Sequence, residues 1–433
     1  MNKHFLYMGM AVAAMLTASC SNDDVTSGNT KKDQLASDEA ISLAVSQVSN
    51  VTRAPLGDMI VDEAGNPVRD DQGYVQYKKT FDAEDLGFYC LASDKMNGTQ
   101  DISWKDGNDN PNFVWFENRK ADAVTKTIAG TETEYTDIVW KETPTEDNLY
   151  SYYYPLGSQY KYDFYGYYPY SDNVQKNSET YSVTYTDLDG TKDVIWGKAD
   201  INADDADAQN FAYSAKYFRV KKDQDGEAYN KQNYLPNVNF KHKLMKFNII
   251  IKKGTGETDG IENIGVKKVT LRNVCTEGTL VIASRDADNL EKVGTFTPDW
   301  TKVNEQGIEL KDKNDQPLGD DNYLSDADAN GRIIGQGFLI PVLPKQQDGT
   351  YVDNKFYGDN GEMANKGVFR LIVDFSQKNS TSVYKAAQYE IVPPAEGWKE
   401  GYEYDIVIAI STPLVIEANA TLTPWEHGRI ELE

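Results

Sequence analysis

Few residues in this chain have the type and spacing that chemistry needs. Only three histidines occur among 433 residues, and His4 lies in an apolar N-terminal lead. His242 falls between Phe240 and Leu244 on a strand-like run, which predicts a packed, hydrogen-bonded core histidine. No Cys/His spacing suits zinc, and no Gly-rich phosphate loop or G-x-S-x-G elbow is present. The run Asp326, Asp328, Asn330, Gly331 matches the first half of a calcium loop. The position that should carry a bidentate Glu is Gly337, and strand-like residues follow, so the run reads as a solvated acidic turn. With 68 acidic side chains, a carboxylate pair could be picked anywhere, and picking one would mean nothing. The expectation is a protein that is not an enzyme, with no catalytic residue, no metal site and no cofactor.

Two positions invite chemistry done to the chain rather than by it. Lys3 and His4 precede an apolar run, Phe5 to Leu16, too short to span a bilayer. It reads as a signal peptide over residues 1–19. The small residues Thr17, Ala18 and Ser19 before Cys20 resemble the bacterial lipoprotein signal, in which Cys20 becomes the acylated first residue. The bland alternative is ordinary secretory cleavage with Cys20 incidental. The second position is Arg53, in Thr52-Arg53-Ala54-Pro55. A lone basic residue in a polar linker is a place where a protease could cut between Arg53 and Ala54; the alternative is a tether with an incidental Arg. Just upstream, Ile41, Leu43 and Val45 alternate with Ser42, Ala44 and Ser46. Ile41, Ala44, Val45 and Val48 also fit a helical face, but stiff β-branched residues and serines favour a strand.

The elements that would position these residues are strands. A net charge of -24 argues against nucleic acid and anionic lipid surfaces, which need clustered Lys and Arg. The 28 tyrosines and 7 tryptophans, with many turn-forming pairs, predict a β-rich extracytoplasmic protein. Cys90 and Cys275 lie in separate strand-like runs and read as two buried thiols. Ile138-Val139-Trp140 centres a strand pair. Tyr162, Phe164 and Gly166 alternate with Asp163, Tyr165 and Tyr167, either as packed rings or as a platform for stacking sugars. Residues 198–210 form an acidic, Ala-rich run and 221–232 read as a long polar loop near a domain boundary. In 238–251 the apolar parity changes at Leu244-Met245, which predicts a β-bulge. Phe369 to Phe375, Tyr402 to Ile410 and Leu414 to Leu422 alternate cleanly, as antiparallel sheets with one buried face would.

Several motifs then stand in a telling order. They are the Leu16–Cys20 lipobox, Arg53-Ala54, YKYDFYGYYPYS (Tyr160–Ser171), DVIWG (Asp193–Gly197) and NFKHKLMKFNIII (Asn239–Ile251). KKVTLRNV (Lys267–Val274), GFLIPVLP (Gly337–Pro344), GWKEGYEYDIVI (Gly397–Ile408) and TPWEHG (Thr423–Gly428) follow. This order resembles the fimbrillin family of Bacteroidetes, the lipoprotein-derived pilins of type V fimbriae. The acidic run Ser21–Asp24 after Cys20 resembles the surface-export signal of lipoproteins from the same phylum.

The resemblance implies an all-β protein of two transthyretin-like β-sandwich domains, here residues 54–235 and 236–433, preceded by a lipidated propeptide over 20–53. It implies an outer-membrane lipoprotein precursor, held to the membrane only through the lipid on Cys20, that becomes part of a fimbrium at the cell surface. A trypsin-like surface protease would cut after Arg53. The strand bearing Ile41, Leu43 and Val45 would leave, and a strand from another fimbrial subunit would fill its groove. The candidate donor strand carries Leu414, Ile416 and Leu422. If that run is instead the last strand of its domain, the chain reads as a tip or accessory subunit with a role in adhesion to a host or bacterial surface ligand. The competing reading is a glycan-binding surface lipoprotein that stays acylated and uncut.

Overall fold

In the computed structural model the described residues are 40–45, 68, 80–95, 114–127, 134–142, 152–155, 160–177, 180–254, 261–284, 291–304, 306–312, 314–319, 322–325, 331–341, 369–378, 383–391, 393, 397–412 and 415–422. The first half runs through β1 (Ala44–Val45), β2 (Ala83–Lys95), β3 (Val114–Thr127), β4 (Glu134–Trp140) and β5 (Tyr160–Tyr168). It continues through β6 (Gln175–Lys176), β7 (Thr180–Tyr185) and β8 (Ile195–Ala199) to two helices, α1 (Ala206–Phe211) and α2 (Ala215–Asp225). Then come β9 (Val238–His242), β10 (Met245–Lys253), β11 (Ile264–Arg272), β12 (Val274–Cys275), β13 (Gly278–Ser284), β14 (Phe296–Pro298), β15 (Val303–Asn304) and β16 (Ile308–Glu309). The last strands are β17 (Arg332–Leu339), β18 (Phe369–Gln377), β19 (Val383–Ile391), β20 (Glu403–Thr412) and β21 (Val415–Leu422). The protein is all-β, as expected.

A seven-stranded antiparallel sheet, ordered β1-β4-β3-β2-β5-β8-β9, organises the first half. Its strands alternate between two cores, so both faces are buried. Leu86, Phe88 and Cys90 of β2 and Tyr162 and Phe164 of β5 point into one core. Tyr89 and Leu91, with Tyr165 and Tyr167, point into the other, where they meet a second sheet ordered β14-β13-β7-β6. The first sheet curls enough for β1, paired with β4 at one end, to lie beside β9 at the other. Elsewhere two four-stranded sheets, β17-β10-β20-β21 and β16-β11-β18-β19, share a third core. There the clean alternation pays off: Phe369, Leu371, Val373 and Phe375 of β18 face Tyr404, Ile406, Ile408 and Ile410 of β20.

Three local expectations need correction. The run 238–251 is not one bulged strand. β9 pairs with β8 in the first sheet, β10 pairs with β17 and β20 in another, and the chain passes between them at Lys243-Leu244. A parity change marks either a bulge or a change of sheet, and periodicity cannot separate the two. Second, not every pair is antiparallel, since β10 and β20 run parallel over eight residue pairs from Lys246↔Glu403 to Lys253↔Ile410. Third, the stretches read as an acidic run and a polar loop carry α1, α2 and two 3-10 turns, Gly226–Ala228 and Lys231–Tyr234. The Asp205 carboxylate caps α1 by accepting from the Asp207 and Ala208 amides, and the Ser214 hydroxyl caps α2 by accepting from Tyr217. Tyr217 and Phe218 carry α2 into the first core. Two pairings also cross the residue 235/236 division, β8 with β9 and β7 with β13.

Candidate strand-accepting site

The segment with the alternating Ile41 and Leu43 is seated at the edge of the seven-stranded sheet. Ala40 forms an antiparallel bridge with Tyr153, and the Ile41 amide donates to the Tyr152 carbonyl at 2.8 Å. Further on, the Ile138 amide donates to the Leu43 carbonyl at 3.4 Å, and Ala44 and Val45 pair with Asp137 and Thr136 of β4. Ile41 is 3% exposed and Leu43 0%, while Ser42 between them is half-buried. Both apolar side chains enter the first core, with Phe88, Phe116, Ile138, Tyr154 and Phe218. Each contributes roughly 1.5–3 kcal/mol by leaving water.

Side chains with no role assigned from sequence at this segment hold its backbone. The Trp140 indole N–H donates to the Ile41 carbonyl at 3.3 Å. The Lys231 ammonium, from the 3-10 turn after α2, donates to the Ala40 carbonyl at 2.6 Å. Arg119 stiffens the wall, its guanidinium lying 4.2 Å from the Phe116 ring centre and 4.1 Å from that of Tyr152. Burial lowers the Arg119 pKa from its ordinary value and raises that of Tyr152. Trp140 in turn packs edge to face on Phe88 and Phe116. A side-chain hydrogen bond to a backbone carbonyl leaves no periodic trace in sequence, which is why Trp140 was read only as part of a strand and Lys231 only as part of a polar loop.

The other positions singled out from sequence fall as follows. Val45 is placed by its backbone, and its side chain lies outside the described residues, as do Cys20, Arg53, Ala54 and Leu414. Ile416 and Leu422 lie in β21, opposite Ile410 and Tyr404 of β20. His242 is buried and hydrogen-bonded through Nδ1 to Asp193, the packed role expected of it. Cys90 and Cys275 are free, buried thiols in separate cores. The rings of Tyr162, Tyr165 and Tyr167 are at most 2% exposed, so they pack and present no platform for a sugar. The acidic run 326–330 lies outside the described residues, and β17 begins at Arg332 just after it. Among the described residues no group of three or more His, Cys, Asp or Glu could hold a metal ion.

Comparison with known proteins adds a family. No curated protein matches the sequence. Solved structures that resemble it include a putative cell adhesion protein from Bacteroides uniformis, 14% identical, covering 90% of this chain and 100% of the other at a TM-score of 0.43. A fimbrial protein from Bacteroides vulgatus is 14% identical over 80% of this chain and 93% of its own, at 0.36. The tip fimbrial protein Mfa3 from Porphyromonas gingivalis, with a C-terminal truncation, is 10% identical over 89% and 99%, at 0.33. The fimbrillin-like family profile matches residues 95–425, well over half of the sequence. The chain therefore belongs to the fimbrillin-like family, a family of fimbrial structural subunits.

Proposed function

We propose that this protein is a structural subunit of a surface fimbria that accepts a strand from a neighbouring subunit. The precursor is exported as an outer-membrane lipoprotein acylated at Cys20. A trypsin-like surface protease cuts between Arg53 and Ala54, the strand bearing Ile41, Leu43 and Val45 leaves, and the neighbour's strand replaces it. The observation that carries this reading is the seating of Ile41 and Leu43. They are buried, yet their segment is an edge strand whose ladder, among the described residues, is shared with β4 and the Tyr152-Tyr153 backbone alone. Removing it opens one sheet edge and two apolar pockets while leaving the other six strands paired, which is the requirement for β-augmentation.

The pairing of β21 with β20 from Tyr404↔Leu422 to Thr412↔Val415 supports an accepting role over a donating one. A strand already built into its own sheet must leave that sheet before it can be given away. This favours a tip or accessory position, with adhesion to a host or bacterial surface as the outward task. The glycan-binding alternative loses support, because Tyr162, Tyr165 and Tyr167 at the centre of β5 are buried.

The test is Arg53→Ala in cells that assemble the fimbria. The variant should reach the surface, keep its acylated N-terminus and stay out of high-molecular-weight polymers, whereas wild type begins at Ala54. Entry of Arg53→Ala into polymers at the wild-type level would refute the exchange mechanism.

A further inference from the structure

The contacts to residues 40–43 divide into two kinds. Every hydrogen bond described above for this stretch goes to a backbone atom: Lys231 to the Ala40 carbonyl, the Ile41 amide to Tyr152, Trp140 to the Ile41 carbonyl and Ile138 to the Leu43 carbonyl. The buried side chains are only Ile41 and Leu43, two residues apart and on one face. We infer that Trp140 and Lys231 form a clamp that reads backbone carbonyls, so the groove selects for apolar residues two apart and not for one sequence. Its ligand class is an extended strand of another fimbrial subunit, including subunits whose strands differ from one another in sequence. This rests on the strand-accepting reading above.

Ordinary edge pairing leaves half of a strand's carbonyls facing away from the sheet. Ala40 and Ile41 are consecutive, so in extended backbone their carbonyls face opposite sides, and each meets one side-chain donor. One is an ammonium, whose charge-assisted bond is about twice as strong as a neutral one. The other is an indole N–H, a donor with no acceptor function to mispair. Neither donor depends on the identity of the bound residue. The helical excursion then has a task. α1 and α2 pack into the first core through Ala208, Tyr217 and Phe218, and the turn behind them delivers Lys231 to the strand.

The experiment uses the full chain with a sequence-specific protease site placed across Arg53. After cutting, a labelled synthetic peptide of residues 36–53 is added and its exchange into the groove is timed. Lys231→Met should shorten the half-time roughly tenfold, with Lys231→Arg close to wild type. Trp140→Phe combined with Lys231→Met should shorten it further; because Trp140→Phe also trims ring packing, the Lys231 pair is the decisive comparison. Peptides with Ala40 or Ser42 replaced by Thr should compete as the parent does, and a Leu43→Asn peptide should not compete. Wild-type half-times for Lys231→Met and for the double variant would overturn the clamp, as would failure of the Thr-substituted peptides. A cut wild-type protein that never exchanges its segment would overturn the strand-accepting reading itself.

Discussion

The rings of Phe88 and Phe240 meet edge to face with centroids 6.2 Å apart, although two strands separate β2 from β9 in the sheet. The cross-strand register explains it. Phe88 pairs with Gly166, Gly166 with Gly197, and Gly197 with Phe240. Two glycines in one row leave room for the flanking rings to lean together. A Cβ built on Gly166 would lie 2.7 Å from the Phe240 ring and 2.8 Å from that of Phe88. Gly166→Ala should therefore overpack the first core and cost about 1–3 kcal/mol, measured by urea unfolding. A variant as stable as wild type would mean the rings move apart freely.

A second prediction concerns the capped helix pair. Lys221 reaches Asp205 at 2.8 Å and Asp207 at 3.0 Å. Burial works against a charged Asp205, but hydrogen bonds from Lys221, the Ala208 amide and Tyr217 outweigh it and hold its pKa below the usual value. Hydrogen bonds from Gln224 and Lys221 do the same for Asp207. Groups with lowered folded pKa values stabilise above the ordinary carboxylate value of about 4 and lose that contribution as pH falls through the folded values. Lys221→Met should lower the melting temperature by a few degrees at pH 7, and the gap from wild type should close toward pH 3. A constant gap from pH 7 to pH 3 would show that Lys221 acts through packing alone.

The thiols give a third. Burial pushes Cys275 up to about 11 and Cys90 well above the ordinary range. Cys275 also donates its S–H to the Glu277 and Asp299 carbonyls at 3.3 Å each. At pH 8 iodoacetamide should label neither residue in the native protein, and both in urea, as read by peptide mass. Native labelling of Cys90 would contradict its place in the first core.

What the sequence conveyed follows from the range of the forces involved. Alternation in β18 and β20 was readable because Phe369 to Phe375 and Tyr404 to Ile410 must each put every second residue into one core. The parallel partnership of β10 with β20 was not, because nothing local in Lys246 encodes a partner at Glu403. The two helices were missed for a related reason. At 6 and 11 residues, α1 and α2 are too short to persist alone and owe their form to caps and to burial of Tyr217 and Phe218. At the site, Ile41 and Leu43 announced themselves by parity. The residues that hold their backbone come from β4, from the 152–155 stretch and from a turn nearly two hundred residues away.

The fourth prediction tests the seating of the N-terminal segment in the uncut chain. Leu43 is 0% exposed, so Leu43→Ala removes three carbons from a packed site and should cost about 2–5 kcal/mol if the segment unfolds together with the sheet. Val139, on the neighbouring strand β4, is 41% exposed, and Val139→Ser should change stability by less than about 0.5 kcal/mol. Global unfolding reports this loss only if the segment stays docked until the core melts. If it lifts off first, the global transition hides part of the loss, and a local probe recovers it. That probe is the Ile138 amide, which donates to the Leu43 carbonyl and is exposed when the segment lifts away. Leu43→Ala should speed hydrogen exchange at Ile138 in the native protein, while amides of β18 in the separate third core keep their wild-type rates. Unchanged exchange at Ile138, together with an unchanged unfolding midpoint, would mean that Leu43 does not hold the segment in place and that an acceptor groove cannot be inferred from it.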